Sequence, residues 1–364
     1  MIPLRWKSIL LLLFFLSGTC EYTAAESRTR LSFSGFPQAS YSEETGIIGG
    51  AIGFLRFWKM NKPEHLPRNS LMLTARYSQK KQFTSRFESE IHFREGIYRS
   101  LTKFQYENWP STFYGIGNDN RESSGEDYTP EITNLELSFF RKLNPSWSLG
   151  IDYEFARFIL LDSEEEGTIA AHRYPGCCNN ITSGLGLIFI CDSRDNRNYP
   201  FRGKYHQIKL TRFAKSLGSD FNFTRYSIDL RYYYTLAAHQ VLALQGVLTV
   251  NKNLVPFHKM PRLDDYLRAV TTDLFLDRDL TILRIEYRYF PWTRKFLNRL
   301  GMVLFLETGQ VADHLAQFGF DRFKISYGLG FRFSLFTDEI FNLRFDIGFS
   351  PQHTNYVASG GEAF

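Results

Sequence analysis

Apolar and polar residues alternate with a period of two through most of this chain. In Phe341–Phe349 (FNLRFDIGF), large apolar side chains occupy every second position, and Asn, Arg, Asp and Gly lie between them. Phe323–Phe333, Leu283–Tyr289 and Phe83–Phe93 show the same pattern. Successive side chains of a β-strand point to opposite faces, so this pattern predicts strands with one apolar and one polar face.

The chain contains about sixteen such segments, and the first and last are weakly patterned, so fourteen strands also fit. The segments are 29–37, 47–58, 69–79, 82–93, 97–107, 131–141, 147–158, 181–191, 203–213, 223–235, 240–251, 280–290, 300–311, 323–335, 340–349 and 355–364. Their typical length is about ten residues, roughly twice that of strands in soluble proteins. The sequence therefore predicts an all-β fold.

Two kinds of β protein show this alternation: a soluble sandwich and a transmembrane barrel. The apolar faces here are large and aromatic almost throughout, and the reverse faces carry Arg and Glu. In a membrane barrel the first face meets lipid and the second lines a wet lumen. This favours an antiparallel transmembrane β-barrel of the outer-membrane type over the soluble alternative.

The connections between the predicted strands alternate in length. Three are tight, at 142–146, 236–239 and 336–339, and three are long, at 108–130, 159–180 and 252–279. Outer-membrane barrels have short periplasmic turns and long extracellular loops. We therefore expect the long connections outside the cell.

Met1–Ala25 has the features of a secretory signal peptide. Arg5 and Lys7 precede the apolar run Ile9–Leu16, which is too short to span a bilayer, and small residues end at Ala25. We expect residues 1–25 to be removed and residues 26–364 to form a single barrel domain in the cell outer membrane. Lipoprotein processing at Cys20 stays open as an alternative.

The composition agrees with the alternating pattern and argues against several classes of function. Aromatic residues make up 16% of the chain although the mean hydropathy is only -0.27, as expected if apolar positions alternate with polar ones. A net charge of +5 is too small to predict a nucleic-acid surface. No catalytic motif, metal-ligand spacing or cofactor loop is present, so we predict neither an enzyme nor a bound cofactor or metal.

The remaining cysteines after signal removal are Cys177, Cys178 and Cys191, which give no disulfide framework. Cys177 and Cys178 are adjacent, so a vicinal disulfide or two unpaired thiols are both compatible with the sequence. We assign no function to them.

Several short stretches together resemble those of the bacterial surface antigen and outer-membrane assembly-factor superfamily of BamA/TamA-like barrels. They are Tyr114–Asp119 (YGIGND), Asp192–Gly203 (DSRDNRNYPFRG), Phe305–Gly309 (FLETG), Tyr327–Phe331 (YGLGF) and Gly361–Phe364 (GEAF). The resemblance covers roughly residues 37–364. It implies a stand-alone form of the family, since too few residues precede this region for the periplasmic transport repeats of the assembly factors.

The resemblance also implies a site. In this family an Arg in the longest extracellular loop folds back into the lumen and pairs with acidic residues of the wall. Arg268, within Leu267–Val270 (LRAV), is the corresponding residue here, and Glu286 and Glu307 are its expected partners. The motif departs from the family pattern, because Ala269 and Val270 replace its Gly and aromatic residue, and Glu307 replaces its usual Asp.

The end of the chain matches a second family feature, a last strand that closes on an aromatic residue. We expect this strand to end at Phe364 and to be recognised there by the barrel assembly machinery during insertion. Gly360 and Gly361 would weaken its pairing with the first strand and leave a seam.

Three functional hypotheses follow. The resemblance implies a role in outer-membrane biogenesis, in which a protein or lipid client is inserted or moved through the barrel or its seam. The expected partners are then outer-membrane lipids and an unidentified client or periplasmic protein. The alternative is a passive or mildly anion-preferring pore, based on the Arg and Lys residues of the polar faces; an outer-membrane barrel enzyme is the less favoured third reading.

Overall fold

The computed structural model describes residues 20–23, 29–42, 46–59, 68–290, 300–334, 342–351 and 353–364. The predicted connection 336–339 and most of the predicted signal peptide lie outside these residues. No helix in the described part of the chain has the length and apolar character needed to cross a bilayer.

The described residues form eighteen β-strands, and sixteen of them overlap the sixteen predicted segments. The strands are β1 Cys20–Thr23, β2 Thr29–Ser42, β3 Gly46–Lys59, β4 Asn69–Ser78, β5 Phe83–Phe93, β6 Tyr98–Asn108, β7 Ser111–Phe113, β8 Glu126–Lys142, β9 Trp147–Ser163, β10 Asn180–Asp192, β11 Gly203–Phe213, β12 Phe223–Ala237, β13 Gln240–Lys252, β14 Asp279–Tyr289, β15 Leu300–Ala312, β16 Lys324–Ser334, β17 Asn342–Phe349 and β18 Thr354–Gly360. The two unpredicted strands, β1 and β7, have four and three residues. β1 lies within the predicted signal peptide, whose removal stays a prediction.

Strands that follow one another in the chain pair antiparallel, as in an up-and-down barrel. β6 pairs with β8 over its full length, and the short β7 adds to the edge of β8. β1 pairs with β2 from Cys20 opposite Phe33 to Thr23 opposite Arg30. Contacts between distant strands show that the sheet curves around an interior: Asn118, just after β7, accepts a hydrogen bond from the backbone of Val311 in β15 at 3.1 Å.

Burial in the wall is the reverse of burial in a soluble protein. In β14, Leu283 and Ile285 are 54% and 44% exposed, whereas Arg284 and Glu286 between them are 5% and 0% exposed. The same inversion recurs in β16, where Tyr327 and Phe331 are exposed and Ser326 and Arg332 are buried. Charged side chains thus face the interior and apolar side chains face outward, which is stable where the surroundings are lipid.

The two ends of the barrel differ. The long connections 114–125, 164–179 and 253–278 lie at one end, here called the long-loop end, and the connections after β8 and β12 lie at the short-turn end. The long-loop end corresponds to the side that the sequence predicts to be extracellular.

The last strand is shorter than predicted. β18 ends at Gly360, and Gly361 has φ 81°, a left-handed conformation that glycine adopts without steric cost. This turn directs residues 361–364 into the interior, where Phe364 is only 6% exposed. The prediction that Phe364 ends the last strand is therefore wrong.

Candidate functional site in the barrel lumen

The longest connection, residues 253–278, folds into the lumen. Its apolar side chains pack on inward-facing residues of β13, β14 and β15 in one buried cluster. The cluster consists of Leu263, Leu267, Val270, Leu274 and Phe275 from the loop and Val247, Leu280, Ile282 and Val311 from the strands. Burial of these side chains removes apolar surface from water, so the loop is held within the barrel.

Arg268 lies at the centre of this loop and pairs with three carboxylates of the wall. Its guanidinium contacts Glu286 of β14, lies 3.0 Å from Glu307 Oε1 of β15 and donates from Nη1 to Asp346 Oδ2 of β17 at 2.9 Å. The side chains of the three acids are fully buried, and that of Arg268 is 4% exposed. The structure thus brings together the three residues that the sequence singled out, Arg268, Glu286 and Glu307, and adds Asp346.

The backbone and the ring of a neighbour fix Arg268 further. The Arg268 N–H donates to Glu307 Oε2 at 2.8 Å, and its carbonyl accepts from Asn355 Nδ2 of β18 at 2.9 Å. The guanidinium carbon lies 3.9 Å from the centre of the Phe305 ring, a cation–π distance. Burial would lower the pKa of Arg268, but the carboxylates raise it on balance, so the side chain is charged.

Three further arginines surround the same carboxylates. Arg284 donates to Glu307, Arg288 to Glu286, and Arg332 to Asp346, over 2.9, 2.8 and 2.5 Å. Neither these arginines nor Asp346 were predicted to belong to the site from the sequence. The signal that marks them is their position on the polar faces of predicted strands, but alternation alone does not say which polar residues meet across the lumen.

The loop has a second anchor on the opposite side of the barrel. The Phe257 ring is fully buried among Phe113, Tyr128 and Phe158, with ring centres 5.2 to 5.9 Å apart. Next to it, Lys259 O accepts from Arg225 Nη2 of β12 at 2.6 Å. Since one anchor lies by β8 and β9 and the other by β14 to β18, the loop crosses the lumen.

Another charged cluster lies on the wall formed by β8, β9 and β11. Glu136, Asp152 and Glu154 lie close enough together to hold a metal ion. Lys209 Nζ lies between them, 2.6 to 3.0 Å from an oxygen of each. An ammonium group thus supplies the positive charge that this acidic group needs.

The stretch Asp192–Gly203 forms the connection from β10 to β11 at the short-turn end. Asp195 Oδ1 accepts from three backbone N–H groups of this turn, those of residues 196, 201 and 202. Tyr199, 1% exposed, packs edge-on against Phe201 and Phe290 at ring-centre distances of 5.0 and 4.9 Å. The motif therefore builds a hydrogen-bonded turn that buries Tyr199 at this end.

The stretch Tyr114–Asp119 lies at the long-loop end and binds the lumenal loop. Gly117 N donates to Leu276 O at 2.8 Å, and the neighbouring Asn120 Nδ2 donates to Leu274 O at 3.0 Å. Asn118 Nδ2 in turn donates to Arg322 O at 2.8 Å. These bonds tie the connection 114–125 to the lumenal loop and to the connection between β15 and β16.

Gly360, Gly361 and Phe364, the remaining residues of the predicted site, lie at the short-turn end. Gly360 pairs with Leu343 at the end of β18, and Gly361 makes the inward turn. Phe364 lies inside, in a cluster with Tyr233, Val241 and Ala243 of β12 and β13. Cys177, Cys178 and Cys191 are free thiols.

Chemically, this arrangement neutralises the buried charge of Arg268 with carboxylates of the wall. A cavity of about 170 Å³ remains beside the loop, lined in part by Asp264, Asp265, Arg344 and Asn355. Burial, with the nearby Asp265 and Asp273 carboxylates, raises the pKa of Asp264 to about 7, against the opposing charge of Arg262.

Comparison with solved structures supports the fold. The chain is similar to BamA from Haemophilus ducreyi lacking POTRA domains 1-3, with a TM-score of 0.59 and 11% identity over 95% of this chain and 75% of that chain. It is also similar to CdiB from Acinetobacter baumannii, with a TM-score of 0.51 and 12% identity over 97% of this chain and 65% of that one. The chain thus spans slightly less than two thirds of CdiB. A search of curated protein sequences returned no match.

The sequence profile of the Omp85 superfamily domain matches residues 67–268, more than half of the chain and up to the lumenal Arg268 itself. The match, the inside-out antiparallel barrel and the two structural likenesses agree: this chain is a β-barrel of the Omp85 superfamily.

Proposed function

We propose that this barrel acts in the outer membrane to insert or move a protein or lipid client, using the seam beside β18, and that it is not a passive pore. The observation that carries the proposal is the docking of the lumenal loop on β18 through Asn355 and Arg268. A loop that contacts the last strand can sense or control whether that strand is paired.

The dimensions of β18 support a weak seam. β18 has seven residues, whereas a strand that spans the membrane usually has about 9 to 11. Because β18 has fewer residues, it forms fewer ladder hydrogen bonds. Its separation from a neighbouring strand therefore costs less free energy than the separation of a longer strand. A client strand or a lipid headgroup would then gain access to the lumen at this position.

The lumenal loop argues against a steady pore. It crosses the lumen between Phe257 and Arg268 and is packed on strands at both points. A passive pore needs a continuous water path, which a loop anchored on both walls obstructs. The Arg and Lys residues that suggested anion preference are also largely paired with carboxylates.

The proposed surroundings follow from the family and the outward apolar faces. We place the protein in the cell outer membrane, with lipids as contacts and the barrel assembly machinery as the agent of its own insertion.

The test is reconstitution into liposomes with two probes. One is a denatured outer-membrane barrel of about eight strands, whose folding is followed by its shift in gel mobility. The other is fluorescent phosphatidylethanolamine, whose transfer between leaflets is followed by dithionite quenching. Acceleration of the first identifies a protein client, and acceleration of the second a lipid client.

The seam is tested separately with pairs of cysteines, one in β2 and one in β18, in a protein that lacks its own cysteines. The oxidised pairs are expected to abolish the stimulated reaction, and reduction is expected to restore it. A matched pair across β12 and β13, such as Leu230→Cys with Gly246→Cys, which face each other in the register, should have no effect. Equal activity with the seam locked would reject the role of the seam, and a steady conductance of the unmodified protein in planar bilayers would reject the proposal in favour of the pore.

A further inference from the structure

Residues 361–364, here called the inward segment, bind inside the barrel through three arginines. Arg288 Nη2 donates to Phe364 O at 2.8 Å, Arg332 Nε to Glu362 Oε2 at 2.8 Å, and Arg284 Nη1 to Ala363 O at 3.3 Å. The Phe364 ring also lies 4.7 Å from the guanidinium carbon of Arg284 and 5.3 Å from that of Arg288. Each arginine therefore holds a different residue of the segment.

The same three arginines hold the three carboxylates that bind Arg268. The contacts form three parallel series of side chains that lead from the loop to the inward segment, with cationic and anionic groups alternating. The series are Arg268–Glu286–Arg288–Phe364, Arg268–Glu307–Arg284–Ala363 and Arg268–Asp346–Arg332–Glu362. No contact in these series is longer than 3.3 Å.

The inward segment supplies one of the four carboxylates that offset the positive charge of this cluster. Arg268, Arg284, Arg288 and Arg332 supply four positive charges, and Glu286, Glu307, Asp346 and Glu362 supply four negative ones. Arg344, with Nε 3.9 Å from Asp346 Oδ2, adds a cation at the margin. Withdrawal of Glu362 therefore leaves a positive excess among buried groups, which is costly in a low-dielectric interior.

We infer that the inward segment is a latch for the lumenal loop: the two dock together and are released together. When Glu362 leaves, Arg332 keeps Asp346 as a carboxylate partner, which it shares with Arg268, and the repulsion between the four arginines is less well compensated. The attachment of Arg268 then weakens. Thermodynamic linkage requires the reverse as well, so release of Arg268 must weaken the inward segment. The inference concerns coupling inside the barrel and goes beyond the proposed function, on which it does not depend.

The coupling can be measured in the full chain in detergent or liposomes, with the four cysteines of the sequence replaced by serine. Val270→Cys, at a position 8% exposed beside Arg268, reports loop release by its labelling rate with a bulky impermeant maleimide. Ala363→Cys reports release of the inward segment in the same way. Gel mobility before and after heating verifies that each variant is folded.

Glu362→Gln keeps the size of the side chain and removes its charge. It is expected to raise the labelling rate at both reporter positions by roughly tenfold, within the range typical of coupling between sites. Arg268→Lys is expected to raise the rate at position 363 to a similar extent. The control is Glu136→Gln, which removes a lumenal carboxylate that pairs with Lys209 and Lys103 instead, and it should change neither rate.

Three outcomes would overturn the inference. One is faster labelling at position 363 in Glu362→Gln with an unchanged rate at position 270, which would show that the segment leaves without affecting the loop. Another is an Arg268→Lys variant with faster labelling at 270 only. The third is the absence of any effect of both Glu362→Gln and the charge reversal Glu362→Lys, which would show that Glu362 does not hold the segment.

Discussion

Ala269 of the lumenal loop lies directly against Gly348 of β17. A Cβ at position 348 would lie 3.1 Å from the Cβ of Ala269 and 3.4 Å from its backbone nitrogen. The loop can approach the wall this closely only because residue 348 has no side chain. The adjacent Arg268 consequently reaches the carboxylates of β14, β15 and β17 at hydrogen-bonding distance.

Replacement of Gly348 by Leu is expected to push the loop away from β17. Overpacking of this kind costs about 1–3 kcal/mol, and here the loop can yield more easily than the wall. The measurement is conductance in planar bilayers, where Gly348→Leu should show openings that the unmodified protein lacks. Gly246→Leu is the control, since the nearest atom to a Cβ at 246 is a Leu283 side-chain atom 3.7 Å away. Equal conductance of the two variants would contradict the prediction.

Removal of the Arg268 side chain is expected to destabilise the folded barrel. Arg268→Ala leaves three buried carboxylates without their common cation, and loss of one partner from a buried ion pair costs about 3–5 kcal/mol. The readout is the midpoint of thermal unfolding, followed by gel mobility. Arg278→Ala removes a more exposed pair with Asp313 and should cost at most about 1 kcal/mol. If both variants melt at the same temperature as the unmodified protein, the buried cluster does not stabilise the loop.

The aromatic anchor at Phe257 should contribute as much to the stability of the folded barrel as the charged anchor at Arg268. Phe257→Ala deletes a ring that is fully buried among other aromatic rings, and such deletions cost about 3–5 kcal/mol. Phe320→Ala, at a position that is 100% exposed, should change stability by no more than about 0.5 kcal/mol. Both variants are compared by thermal unfolding and by protease cleavage within residues 253–278. Cleavage at equal rates would mean that Phe257 does not hold the loop.

The loop should be held more firmly at acidic than at alkaline pH. In the docked loop, burial and neighbouring carboxylates raise the pKa of Asp264 from 3.8 to about 7. The docked state then binds the proton more tightly than the released state, so its stability falls as pH rises from about 4 to about 7 and changes no further above that range.

Asp264→Asn isolates this contribution because it removes the titrating group. The thermal midpoint of the unmodified protein should approach that of Asp264→Asn at pH 4 and fall below it at pH 8. Asp313→Asn, at an exposed position, serves as the control. Curves for Asp264→Asn and the unmodified protein that stay parallel from pH 4 to pH 8 would exclude Asp264 as the source.

Much of this barrel was accessible from the sequence because alternation is a local property. A period of two depends only on neighbouring residues, so it located the sixteen long strands and separated the outward face from the lumenal one. It did not locate β1 or β7, which are too short to show a period. The wrong end of the last strand has a similar cause: GEAF continues an extended pattern, and only the φ of Gly361 shows that the chain turns inward.

Alternation along the chain identified the lumenal faces of the strands, and the family resemblance predicted that Arg268 would meet Glu286 and Glu307. Three features could be found only in the folded barrel: Asp346 completes this set, Phe257 anchors the loop on the opposite wall, and the inward segment joins the same cluster. They depend on the curvature of the sheet. Residues from strands far apart in the chain meet across the lumen, and the identity of those partners depends on shear, loop path and the space that a residue such as Gly348 leaves open.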